Sequence, residues 1–400
     1  MRETPVLLLE GPRTVGKSTL LRQLADETGG FIIDLDDPDV RSVVSDDPNT
    51  WASRPGPVFI DEYQHVPEVL DTIKARLNHS SRPGQFVLTG SSHFDSLPRT
   101  AQSLTGRLLR LPVLPLAACE MEGTGGLLPK LADVDALLAP AAGTSTRPEY
   151  IARIVDGGFP IALAQSSSLG RSRWFDQYVA LTLQRDVTEL SRLQQARLLP
   201  VVLDKVMGQT AQIMNTAHIA REVNLSPTTV GDYVRLLEAV FLVQTLPAWA
   251  KTLESRAARR PKIHAIDSGV AARLLGLTDR KLDRLDPSVQ TEFGHLVETF
   301  VVGELLKEAS WTDEVADAGH WRTHDGLEVD LVLETYDGDI LAFEVKAGSR
   351  VPSGGFRALE ALRDAAGSAF RLGVTLYMGE QPYRFGDRLI ALPIDTLWKP

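Results

Sequence analysis

Gly11-Pro12-Arg13-Thr14-Val15-Gly16-Lys17-Ser18-Thr19 follows the apolar run Val6-Leu-Leu-Leu9 and leads into Leu20-Leu-Arg-Gln-Leu24. The stretch therefore sits where a buried strand turns into a helix. A strand, a glycine loop and a helix start place several backbone N–H groups around a phosphate, with the positive end of the helix dipole aimed at it. Gly11 and Gly16 supply backbone angles and a close approach that a side chain would forbid. Lys17 is expected to reach the β- and γ-phosphates, and the Ser18 hydroxyl to hold Mg²⁺. An ordinary glycine turn before a helix would explain the two glycines, but it does not call for the Lys-Ser ending. The whole loop, Gly11 to Thr19, is thus the expected nucleotide cradle.

Four hundred residues exceed what one core usually organises, so two or three domains are expected, and an apolar fraction of 43% can fill a core in each. The single cysteine, Cys119, allows no disulfide within the chain and reads as a small buried hydrophobe in a reducing compartment. Met1-Arg-Glu-Thr-Pro5 enters a strand at once, without the pattern of a signal peptide, which predicts a cytoplasmic protein. The run Leu296 to Leu306 is interrupted by Glu298 and Glu304, so no membrane partner is expected. A formal net charge of -10 opposes generalised nucleic-acid binding and leaves room only for a local basic patch.

After the loop, helix 20–27 ends at Gly29-Gly30, Phe31-Ile-Ile-Asp34 reads as a short buried strand, and 35–57 reads as loop and polar linker. Val58-Phe-Ile-Asp61-Glu62 then delivers two carboxylates at the C-terminal end of an apolar strand, the edge where open parallel sheets bind ligands. Asp61 is expected to hold Mg²⁺ through water, and Glu62 to polarise the water that attacks the γ-phosphate. A helix over 66–77 precedes the strand Gln85 to Thr89, which ends in Thr89-Gly-Ser-Ser92. Ser91 and Thr89 are the candidates for sensing the γ-phosphate, against the simpler reading of a Gly-Ser turn. Leu104-Thr-Gly-Arg107 and a strand over 108–114 complete a βαβ series, which implies a parallel sheet covered by helices on both faces. Arg107 reads either as an arginine that reaches a γ-phosphate in the same or a neighbouring subunit, or as a surface arginine.

Residues 1–120 thus read as the nucleotide domain and 121–205 as a linker and helical segment. The latter opens on the loose Gly123 to Gly143 stretch and carries Arg185-Asp186 on a helix from Trp174 to Leu190. Within 206–250, a helix at 217–223, the turn Asn224-Leu-Ser226, and a second helix begun by Pro227 after a Ser226 cap form a helix-turn-helix of winged type. Its second helix offers Arg235 against Asp232 and Glu238, which suits packing or a lid better than a major groove. The C-terminal region, 251–400, opens on Lys251, Arg256, Arg259, Arg260 and Lys262, read as a solvated loop or a contact to a nucleic-acid backbone. Glu298 lies on an amphipathic helix, and the strands Glu328 to Leu333 and Ile340 to Lys346 carry Asp330, Glu344 and Lys346. If those strands are neighbours, Glu298, Asp330 and Glu344 converge into a site for a second Mg²⁺ or Mn²⁺, with Lys346 positioned to orient or deprotonate a water. A half-buried hairpin of alternating charge would place the same residues without chemistry.

The chain resembles a prokaryotic family that joins an AAA-type P-loop ATPase domain to a C-terminal domain of unknown function with a restriction-endonuclease-like core. The resemblance rests on Gly11 to Thr19, Asp34 to Pro38, Phe59 to Gln64 with Pro67, Leu88 to Ser92, Leu104 to Arg107, and Pro115-Leu116 with Glu120. It continues through Gly157 to Pro160, Arg185-Asp186, Pro261 to Ile263 with Asp267, Val297-Glu298, Glu328 to Asp330 and Glu344 to Lys346. It implies an ATPase that binds Mg-ATP, an α/β P-loop fold followed by a winged-helix segment, and an α/β restriction-endonuclease-like domain. The 121–145 excursion is longer and richer in Gly and Ala than the family pattern. The expectation is an enzyme in which Lys17, Glu62 and Arg107 serve ATP hydrolysis, coupled to a nuclease-like output using Lys346 that acts on DNA or RNA. The alternative is an ATP-dependent switch whose C-terminal domain binds a protein partner without catalysis. The oligomeric state stays open.

Overall fold

The computed structural model describes residues 3–52, 54, 56–93, 104, 106–139, 145–186, 196–252, 260–284 and 287–399. The chain divides into two packed units: residues 1–115 with 181–196 and 235–242, and residues 116–180 with 197–234 and 243–400.

In the first unit, β1 (Val6–Glu10) runs into helix α1 (Lys17–Thr28), followed by β2 (Phe31–Asp34), α2 (Pro38–Asp46), β3 (Val58–Asp61), α3 (Val69–His79), β4 (Phe86–Gly90) and β5 (Leu108–Pro112). Among the described residues these strands form one sheet in the order β2-β3-β4-β1-β5, every pairing parallel. β1, β3 and β4 are buried along their whole length because helices cover both faces, which is why they read as unbroken apolar runs. Val6, Leu8, Ile33, Ile60, Phe86 and Leu88 face one core, and Leu7, Leu9, Leu21, Phe59 and Val87 the other. The reading of 35–57 as loop is corrected by α2, where the Asp37 carboxylate accepts N–H bonds from Asp39 at 2.9 Å and Val40 at 3.4 Å. Such a cap, followed by Pro38 at the first helical position, starts a helix even with few apolar residues. Arg185 lies 3.8 Å from Asp36, both exposed. His93 donates its N–H to the Ala239 carbonyl at 2.9 Å, and its ring stands 3.9 Å from that of Phe241.

The second unit contains β6 (Gln212–Ile213), helix α4 (Thr216–Val223), the start of helix α5 (Pro227–Ala239), β7 (Val243–Leu246) and β8 (Lys262–Ala265). Asn224 turns the chain between the helices at φ 53°, and Ser226 accepts the Thr229 N–H at 3.0 Å. β8 pairs antiparallel with both β6 and β7. Further on come the long helix α6 (Pro287–Trp311), β9 (Val315–Arg322), β10 (Glu328–Thr335), β11 (Ile340–Lys346), helix α7 (Arg357–Ala366), β12 (Phe370–Tyr377), β13 (Tyr383–Gly386) and β14 (Leu389–Pro393). The sheet order is β13-β14-β12-β11-β10-β9, parallel at β11–β12 and β12–β14 and antiparallel elsewhere. Leu359 and Leu362 of α7 pack on Val329, Val332, Ala342 and Phe370.

Ala118 and the first part of the Gly123 to Gly143 stretch, which was expected to be loose, are fastened to α6. Glu304 accepts the Ala118 N–H and pairs with Lys307 at 2.7 Å, while one Glu308 oxygen accepts the N–H groups of Leu127 and Leu128 at 2.8 Å each. Gly126 turns here at φ 77°, and a side chain on it would strike the Glu308 carboxyl carbon at 2.5 Å. Burial pushes the Glu308 pKa up to about 7, against the pull of those two N–H groups.

Candidate functional site

The first site forms at the C-terminal edge of the parallel sheet, where β1, β3 and β4 end side by side. Gly11 leaves β1 so close to β5 that a Cβ would stand 1.9 Å from the Val113 carbonyl oxygen, so only glycine passes. Thr14 (φ 64°) and Gly16 (φ 108°) take left-handed angles and turn the loop into α1. Lys17, 3% exposed, curls back and donates to the carbonyls of Gly11 at 2.9 Å and Pro12 at 2.7 Å. Pro12 and Val15 are buried, whereas Thr14 and Thr19 lie on the surface and Arg13 is half-buried.

One hydrogen-bond chain ties this loop, through Ser18, to Asp61 of β3 and Thr89 of β4, and a second joins Glu62 to Ser91 beyond β4. Thr89 donates to Asp61 and accepts the Glu62 N–H at 2.9 Å, and Asp61 also takes a bond from the Ser18 hydroxyl. Ser91 donates to Glu62 at 2.9 Å, and Gln64 donates both to Glu62 and to Ser91, the latter at 2.9 Å. Glu62 is held at φ 54°, a left-handed angle that costs a non-glycine residue energy and points its side chain along the sheet edge. Burial pushes its pKa up, but the Lys17 charge, the Gln64 bond, Arg13 and Ser91 together bring it below the ordinary 4.5. Glu62 is therefore ionised at neutral pH. Burial raises Asp61 instead, against the bonds from Thr89 and Ser18 and with the charges of Glu62 and Asp34 adding to the rise. The adjoining Ser18 hydroxyl and Asp61 carboxylate are hard oxygen donors of the kind Mg²⁺ takes, and a divalent charge between them would relieve the repulsion on Asp61. The residues fit that ion.

Arg107 is not brought to this site within the chain. It precedes β5 at the opposite, N-terminal edge of the sheet, about 16 Å of strand from the loop, and bonds the Asn78 side chain at 2.8 Å. The reading in which it reaches a γ-phosphate in its own subunit is corrected by that placement.

The second cluster lies on β8, α6, β10 and β11 of the other unit. β10 and β11 are antiparallel neighbours, and Asp330 accepts the Val345 N–H at 2.9 Å. Between the carboxylates stands the ammonium of Lys262, 1% exposed, at 2.6 Å from Glu298, 2.5 Å from Glu328 and 3.0 Å from Asp330. Lys262 was expected in a basic stretch read as a solvated loop or a nucleic-acid backbone contact. The structure instead buries it at the start of β8, with Arg260 exposed beside it, while Arg256 and Arg259 lie outside the described residues. Burial alone would lower the Lys262 pKa, but Asp330, Glu298 and Glu328 raise it. Glu344 pairs instead with Lys346 at 2.5 Å; burial, with the Asp330 charge, pushes its pKa up to about 8, and its second oxygen, Oε2, has no hydrogen-bond partner. Glu298 rises for the same two reasons, whereas Asp330 is drawn down, against burial, by Lys262 and the Val345 N–H. Among the described residues no group of three or more His, Cys, Asp or Glu is placed to hold a metal ion. The expected metal set of Glu298, Asp330 and Glu344 is therefore brought near together but does not fit a second divalent ion as it stands.

Sequence reasoning missed Lys262, and it left Thr89 and Gln64 out of the principal set. The available signals were a lysine opening an apolar strand and a polar residue two positions after Glu62.

Residues 3–122 match a family described as an AAA domain, residues 147–281 a domain of unknown function (DUF8612), and residues 293–397 a domain of unknown function (DUF4143). The chain is 26% identical over 397 residues to Uncharacterized protein Rv2008c of Mycobacterium tuberculosis and to Uncharacterized protein Mb2031c of Mycobacterium bovis, covering 99% of this chain and 82% of each relative. Among solved structures, a RuvB variant of Thermotoga maritima is similar at 17% identity and a TM-score of 0.29, over 61% of this chain and 82% of that one. The DNA clamp loader delta protein of Bacillus subtilis is similar at 13% and 0.25, over 74% and 95%. Among the described residues no helix is long and apolar enough to cross a membrane. The N-terminal region, residues 3–122, is a parallel-sheet α/β domain that resembles P-loop ATPases of the AAA type.

Proposed function

We propose that the protein is a cytoplasmic ATP-driven switch that binds and hydrolyses Mg-ATP at Gly11–Thr19, and that its C-terminal domain, nuclease-like in architecture, engages a partner without cutting it. The observation that carries the ATPase half is the chain from Ser18 of the loop through Asp61 and Thr89 to Glu62, whose carboxylate is in turn held by Ser91. Backbone N–H groups of the loop and of the α1 start hold the phosphates. Lys17 exchanges the Gly11 and Pro12 carbonyls for phosphate oxygens. Ser18 and Asp61 would hold Mg²⁺, which when bound would supply positive charge for the phosphoryl oxygens. Glu62, already ionised, orients a water and takes its proton as the oxygen bonds to the γ-phosphorus and the bond to ADP breaks, leaving ADP and inorganic phosphate. Ser91 and Gln64 fix the Glu62 carboxylate for that task, so a γ-phosphate can report its presence to β4. Lys17→Ala should abolish ATP binding, measured by titration of a fluorescent ATP analogue, and unaltered turnover in that variant would rule the assignment out.

The order α6, β9, β10, β11, α7, β12, with Asp330 beside Glu344-x-Lys346, supports a nuclease-like core, and a nuclease acting on DNA or RNA is the second reading it favours. The buried Lys262 ammonium supports the non-cutting form, with the partner a nucleic acid or a protein. Purified protein given Mg²⁺ or Mn²⁺ with varied DNA and RNA should leave them intact; cutting that Asp330→Ala abolishes would restore the nuclease reading.

A further inference from the structure

We propose that Lys262 is the resident cation of the carboxylate cluster, occupying the position a divalent metal would need and keeping the C-terminal site metal-free. The proposal rests on the reading of Glu298, Asp330 and Glu344 as one site. Three carboxylates, from α6 and from two positions of β10, aim one oxygen each at a single point, and the ammonium is at that point, 2.5 to 3.0 Å from each. A metal binds carboxylate oxygens at about 2.0 to 2.6 Å, so ammonium and ion cannot share the centre. Asp330 has no oxygen to spare, since Oδ1 takes Lys262 and Oδ2 takes the Val345 N–H. Glu344 has one oxygen on Lys346 and lies outside the ring of oxygens around the Lys262 ammonium. Lys262 itself is fixed in position by its strand, because β8 is hydrogen-bonded on both sides, to β6 and to β7. The lysine is thus built in from the segment preceding the nuclease-like core, where a sheet edge delivers one charge to the interior.

The test is Mn²⁺ titration of the full-length, nucleotide-free protein, read by calorimetry and by thermal shift. Wild type should show no Mn²⁺ binding that depends on Asp330, so wild type and Asp330→Asn should titrate alike. Lys262→Met, which keeps the length and removes the charge, should gain one Mn²⁺ site, at least about tenfold tighter than any binding in wild type. That site should vanish in Lys262→Met/Asp330→Asn and be absent from Lys262→Arg. A wild-type site lost on Asp330→Asn would overturn the proposal, and so would a folded Lys262→Met that gains nothing. If Lys262→Met does not fold, the comparison of wild type with Asp330→Asn decides alone. Nucleic-acid cutting is scored separately in the same samples, so failure of the non-cutting reading and failure of the resident cation are told apart.

Discussion

Replacing Glu308 with glutamine should stabilise the protein at pH 8 and leave it unchanged near pH 4. The carboxyl is 1% exposed, and one of its oxygens accepts both the Leu127 and Leu128 N–H groups, a task a glutamine carbonyl oxygen performs equally well. Its pKa rises from 4.5 to about 7 on folding, chiefly through burial. Below the unfolded value both states carry the proton and the native contact is fully kept. As pH climbs through the folded value, the native state must ionise a buried carboxyl, and stability is lost between about pH 4.5 and 7. At about 1.36 kcal/mol per pH unit, the loss is about 3 kcal/mol, and Glu308→Gln removes it. The assay is amide hydrogen exchange at Leu127 and Leu128 with urea unfolding, both run from pH 4 to 8 on wild type and variant. A gap between the two proteins that does not change with pH, or a variant less stable than wild type at pH 8, would refute the reasoning.

Glu62→Gln should bind ATP as wild type does and turn it over about 10² to 10⁴ times more slowly, because Gln keeps the bonds to Ser91 and Gln64 but accepts no proton; a phosphate-release assay decides. Gly11→Ala places a methyl carbon 1.9 Å from the Val113 oxygen, so β1 and β5 must part and nucleotide binding should be lost; fluorescent-nucleotide titration that still saturates would contradict the geometry.

The strands that carry the candidate nucleotide site were legible because burial on both faces leaves a plain signature, an apolar run ending in Gly11, in Asp61-Glu62 or in Thr89. The expectation for the loop rested on its neighbours as much as on its letters. Helix α2 was not legible, since its one fully buried side chain is Val44 and its start depends on a capping carboxylate. The stretch from Gly123 looked loose because it is rich in Gly, Pro, Ala and Leu, yet its Leu127 and Leu128 are held by a carboxylate some 180 residues further along the chain, a separation that no local pattern reveals. Lys262 escaped for the same reason. Its neighbours Arg259 and Arg260 suggest solvent, while the charges that bury it come from positions 36 to 68 residues away. Asp330, Glu344 and Lys346 were found by strand alternation, but alternation could not say which cation they would meet.

Helix α6 carries Glu298 at the carboxylate cluster and, ten residues later, Glu308 at the strap from residues 127–128. Ten residues of helix span about 15 Å, and an unbroken run of backbone hydrogen bonds does not stretch or twist locally without losing some of them. The two anchor points are therefore fixed to one mechanical rod. A rigid-body shift of that rod would move both anchor points together.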